Sequence, residues 1–190
     1  LQLGDEVAEY LSMVFHRFLE ADADLDGSSL RKMSVNGKKL DPWDPFARDE
    51  KATQKGGDHL PACEFPLEHG DTSGRVVFTP YVLPPRAKFS SNEKYEELSG
   101  PLKWNRQQGL YIYRANRLIQ YGGWAGMRTS DEHTKLARAS VDFDPTLDPL
   151  FQVNMAKMRV VLPEELKESL TRPVSQLCIL ADRSYREMSE

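Results

Sequence analysis

Residues 109–123, GLYIYRANRLIQYGG, decide the fold. Two apolar and aromatic runs, 109–113 and 117–121, flank a turn at Ala115-Asn116, and Gly122-Gly123 closes the second run. That arrangement predicts a β-hairpin. Downstream, residues 135–143 (KLARASVDF) place Ala137, Ala139, Val141 and Phe143 on one side of a further strand.

Working outward from this pair, strands are predicted over 62–68 and 75–82, joined by a turn through His69-Gly70-Asp71. A smaller hairpin is centred on Asn36-Gly37, with a strand over 30–35 and a return strand cut short by Asp41-Pro42 and Asp44-Pro45. Residues 47–60 are polar and glycine-containing and read as a mobile loop. A short helix over 90–98 would be capped by Ser90 or Ser91 and closed by Gly100. Residues 150–155 form another candidate strand, and Pro163 and Pro173 each open a helix, running to about 170 and 184.

The opening segment is the clearest helix. Across 5–19, Val7, Tyr10, Leu11, Val14, Phe15, Phe18 and Leu19 recur on one helical face that needs a large apolar partner. Helix, hairpin strands, then helices is the order of an α+β domain: a mixed sheet with helices on one face.

The 39% hydrophobic and 28% charged fractions describe a chain that folds and stays in water. No apolar run approaches the roughly 20 residues that span a bilayer. The opening has neither a signal pattern nor an initiating methionine, and reads as a piece of a longer protein. Two distant cysteines, Cys63 and Cys178, read as buried thiols in a reducing cytoplasm. The four histidines are dispersed and form no metal pattern.

Charge is uneven. Residues 1–50 carry six basic and eleven acidic side chains, whereas 101–140 carry Lys103, Arg106, Arg114, Arg117, Arg128, Lys135 and Arg138 against Asp131 and Glu132. Trp104, Tyr111, Tyr113 and Trp124 interleave with these cations. The 103–138 block therefore admits a stand-alone nucleic-acid-binding module, or a solvated sheet face. Asp22, Asp24, Asp26 and Gly27 imitate the start of a calcium loop, but its twelfth position is Met33 and supplies no bidentate carboxylate, so a solvated acidic turn fits better. No Walker loop, nucleophile elbow, zinc-protease or dinucleotide motif is present. From the residues alone, Lys157 is one loop lysine among several.

Five stretches resemble a family: LSMVFHRFLE (11–20), VNGKKLDPWDPF (35–46), QGLYIYRANRLIQYGGWAGM (108–127), EHTKLARASVDF (132–143) and LDPLFQVNMAKMRVVLP (147–163). They are similar, in order, to bacterial ATP-binding proteins of the GHKL superfamily, distant relatives of MORC, MutL and gyrase B. The resemblance implies a connecting helix over 1–20 and a transducer-type domain over 21–190, with a left-handed βαβ crossover. It assigns Lys157, in QVNMAKMRV, to the γ-phosphate of ATP as both catalytic and cofactor-binding residue. Met158 stands where closely related forms carry a small polar residue. The implied partners are the protein's own N-terminal ATP-binding domain and a second copy of itself, with DNA through the MORC and MutL relatives. Mg-ATP would be the ligand of the parent protein, with no cofactor and no metal in this chain.

Overall fold

The structure, a computed structural model, describes residues 2–20, 32–56, 59–154 and 160–187. Its elements in chain order are α1 (Gln2–Val14), α2 (His16–Leu19), β1 (Ser34–Val35), β2 (Lys38–Lys39), β3 (Gln54–Lys55), β4 (Cys63–His69), β5 (Thr72–Val82), α3 (Asn92–Leu98), α4 (Lys103–Gln107), β6 (Gly109–Arg114), β7 (Arg117–Tyr121), β8 (Ala137–Phe143), α5 (Asp148–Phe151) and α6 (Glu164–Arg186). The fold is α+β with a mixed sheet. A six-stranded sheet runs β3-β5-β8-β6-β7, with β4 also paired to β5. β6 and β8 are parallel; the other pairs are antiparallel.

The two hairpins form where their turn residues predict. Asn36 and Gly37 have φ of 51° and 79°, and Ala115 and Asn116 have φ of 46° and 65°. Both turns thus place two consecutive residues at positive φ, as type I′ turns require. Ser91 caps α3 by accepting from the Lys94 N–H at 3.1 Å. α4 was not anticipated: it is five residues long, too short to show a period, and begins at Lys103 with φ 63°.

Four expectations are corrected. The opening helix breaks at Phe15, because the Ser12 carbonyl accepts from the Trp43 N–H at 3.2 Å rather than from residue 16. The polar stretch 47–60 is fastened where it is described. Thr53 Oγ1 donates to the Ala47 carbonyl at 2.6 Å, Gln54–Lys55 joins the sheet, and buried Glu50 accepts from Ser90 N and Oγ. Residues 150–151 are helical, not extended: Asp144 caps the turn before them, Pro145 and Pro149 occupy early helical positions, and the Phe151 ring stacks on Phe143 at 3.9 Å. The closing segment is one helix with Pro173 inside it. Leu166, Leu170, Val174, Leu177, Cys178 and Ala181 make an unbroken buried stripe across the proline, and burying it outweighs the missing N–H. Pro173→Ala is therefore expected to stabilise the chain by about 1 kcal/mol, restoring that hydrogen bond. A urea midpoint that falls instead would show that the ring itself is needed for packing.

The expectation of helices on one face is also corrected, because both faces are covered. Leu110, Ile112, Ala139 and Val141 face the α6 core, whereas Tyr111 and Tyr113 face Met13 of α1 and Phe46. Among the described residues the parallel strands β6 and β8 are linked through β7 and a 3-10 turn at Glu132–Thr134, not through an α-helix.

Candidate functional site

The second face carries the densest polar chemistry. Alternation along β8 turns Arg138, Ser140 and Asp142 away from the α6 core, and the β6 register sets Tyr111 against Ser140 and Tyr113 against Asp142. This face would be wet if open. Instead α1, α2 and the turn at 43–48 cover it.

His16 on α2 lies fully buried. Its Nδ1 is 2.6 Å from Glu20 Oε1, and its Nε2 is 2.7 Å from the Tyr113 hydroxyl. Next to it, Arg17 forms a forked ion pair with Asp142 and places its guanidinium 3.5 Å from the centre of the Tyr113 ring. Arg48 bridges two carboxylates, donating to Glu20 at 2.6 Å and to Asp44 at 2.9 Å. Burial pulls the Arg48 guanidinium down, but Asp44 and Glu20 outweigh it and the net shift is upward. Burial pushes Glu20 up, and the bonds from His16 and Arg48 bring it below its ordinary value. Burial, with a smaller push from Asp142 and Asp44, drives the Tyr113 hydroxyl well up, and Arg17 offsets only part of it.

Arg138 extends the cluster inward. It is fully buried, donates to the Pro45 carbonyl at 2.7 Å and the Leu98 carbonyl at 2.6 Å, and has no acceptor for Nε. Trp104 and Tyr111 lie beneath it, with ring centres 5.2 and 5.8 Å away. Desolvation lowers its proton affinity.

The Glu20–His16–Tyr113 chain has the connectivity of a proton relay, but His16 and Tyr113 are 0% exposed and no reactant reaches them. Ligand atoms of His16, Glu20 and Asp44 lie within 4.8 Å of one another. The Arg48 guanidinium already supplies the positive charge between those carboxylates, so the cluster is an internal ion network. Its chemistry is that of a joint between helices and sheet.

The other sequence candidates fall elsewhere. Lys157 lies outside the described residues, as does the acidic stretch Asp22–Gly27. On either side of the Lys157 segment the backbone is anchored. Gln120 Oε1 accepts from the Val160 N–H at 2.9 Å, and the Phe151 carbonyl accepts from the Val161 N–H at 3.0 Å. The 103–138 block is dismantled as a stacking surface. Trp104, Tyr111, Tyr113 and Trp124 are buried in the core, Arg138 with them. Arg114 pairs with Asp148 and Lys135 with Glu132. Cys178 is buried and its thiol pushed up to about 11, which leaves it unreactive near neutral pH. Among the described residues no helix is long and apolar enough to cross a membrane.

Sequence reasoning missed the ion network because Arg138, Ser140 and Asp142 alternate like a solvated strand face. The available signal was the complementary charge of His16, Arg17 and Glu20 within the mostly apolar stretch 11–20. Compared with known protein families, with curated proteins and with solved structures, the chain finds no match.

Proposed function

We propose that this chain is the transducer-type second domain of a cytoplasmic GHKL-class ATPase and is not catalytic alone. The five resembling segments support it. The structural observation that carries it is the state of α1. Towards its C-terminus, Met13 and Val14 are 5% and 1% exposed; towards its N-terminus, Leu3, Val7 and Tyr10 on the same stripe are 74%, 41% and 43% exposed. A helix whose apolar stripe is buried at one end and bare at the other bridges two bodies.

In this proposal the N-terminal ATP-binding domain covers Leu3, Val7 and Tyr10. Lys157 meets the γ-phosphate of Mg-ATP held by that domain, where a compact ammonium charge suits the charge developing in hydrolysis. Movement of the ATP-binding domain then passes through α1 and α2 to the sheet. A second copy joins when ATP binds, and DNA is the client that the MORC and MutL relatives point to.

The test is association in trans. The upstream ATP-binding segment, expressed separately, is expected to bind this chain, and Val7→Glu with Tyr10→Glu to weaken that binding at least tenfold. The same changes should leave the chain's own stability within about 0.5 kcal/mol, as for exposed positions. Unchanged binding by the double variant would remove α1 from the interface. Millimolar Mg-ATP should leave the melting temperature of the isolated chain unmoved, since a ligand that does not bind does not stabilise. For a nucleic-acid module, binding would instead appear in a DNA titration as affinity falling steeply with salt.

A further inference from the structure

We propose that His16 is a proton-operated latch: neutral, it fastens the α1–α2 helix pair to the β6–β8 face, and protonated in mild acid it loosens that pair. The inference is independent of any ATP-linked function.

The geometry fits a neutral ring. With Nδ1–H donating to Glu20, the bare Nε2 accepts from the Tyr113 hydroxyl at 2.7 Å. A second ring proton would point Nε2–H at that hydroxyl. The phenol would then have to accept instead of donate, leaving its own proton to find an acceptor in a dry site.

Charge points the same way. Around His16 stand Arg17 from α2 and Glu20 just after it, Asp44 and Arg48 from the 43–48 turn, and Tyr113 from β6. Asp142 of β8 is reached through Arg17, and Tyr81 of β5 and Arg138 of β8 complete the cluster. Arg17, Arg48 and Arg138 balance Glu20, Asp44 and Asp142, so the network is neutral only while His16 is neutral. Burial lowers the proton affinity of His16, and outweighs the opposing pull of Glu20 and Asp44.

The sign follows. The folded imidazole binds its proton less readily than the unfolded chain does. Its contribution is fully present above the ordinary histidine value of about 6.5 and is lost as pH falls below it. The other three histidines are exposed and lie off α1 and α2, so they do not load this joint.

Hydrogen exchange resolved by segment is the test, run from about pH 7.5 to about pH 5.5, where histidine charge changes. After correction for intrinsic rates, protection of residues 11–19 should fall by up to tenfold per pH unit, the limit for one linked proton. His16→Gln, which retains a donor and an acceptor but does not titrate, should make that segment's protection independent of pH. An unchanged slope in H16Q, or a flat profile in the unaltered chain, overturns the latch. Should H16Q fail to fold, the His16 imidazole is followed by NMR in the unaltered chain. Protonation below the ordinary value, in step with lost protection, supports the latch; protonation at the ordinary value with protection intact overturns it.

Discussion

Replacing Arg138 by alanine is expected to lower the unfolding free energy by about 4 kcal/mol. Three effects set that size. The Pro45 and Leu98 carbonyls each lose a buried donor, at roughly 1–3 kcal/mol apiece. The vacated volume beside Trp104 and Tyr111 leaves a cavity, which costs a further few kcal/mol at sites of this size. Against these, a guanidinium with no carboxylate bonded to it is no longer desolvated, and that relief offsets part of the loss. Arg138→Met separates the terms: the volume stays, the charge goes and the carbonyls remain unpaired. Its cost should be about half that of alanine. Urea denaturation reads both variants. A loss below about 1 kcal/mol for alanine would mean that water replaces both bonds, and that Arg138 does not hold the 43–48 turn and the end of α3 against β8.

How far the sequence carried depends on where each element draws its stability. The 109–121 hairpin was legible because its turn residues and its apolar runs agree. Ser91 and Gly100 likewise marked α3 through backbone chemistry alone, with Gly100 at φ 63°. Local rules failed where tertiary contacts overrode them. Pro173 is a stop signal that a continuous buried stripe runs through, and residues 150–151 are helical with the Phe151 ring stacked on Phe143.

The ion network was hidden for a different reason. Polar alternation along 138–142 is identical for a strand face in water and for one covered by charged partners. Only the pairing of Arg17 with Asp142, 125 positions apart, tells them apart. Aromatic residues among the basic positions 103–128 misled in the opposite sense. Their spacing matches a stacking platform, yet Tyr111 and Tyr113 point into the core between helix and sheet.

The second large effect concerns Lys157. In the parent ATPase proposed above, Lys157→Ala is expected to cut ATP turnover about 100-fold, the order lost when one preorganised charge or donor leaves a reacting phosphate. Lys157→Arg should restore only part of it, because the guanidinium fork is larger and places its charge differently from an ammonium. In the isolated chain the alanine change should alter stability by no more than about 0.5 kcal/mol, the range for substitutions that remove no structural contact. The three results belong together: a loss of turnover accompanied by several kcal/mol of destabilisation would make the lysine structural.

Whether this chain completes an ATP site is tested most directly by single-turnover ATP hydrolysis in the proposed parent ATPase, with Lys157 and with Lys157→Ala, at matched nucleotide occupancy. A fall of about 100-fold in the chemical step with ATP affinity little changed is the predicted result. Equal rates for the two proteins would contradict it.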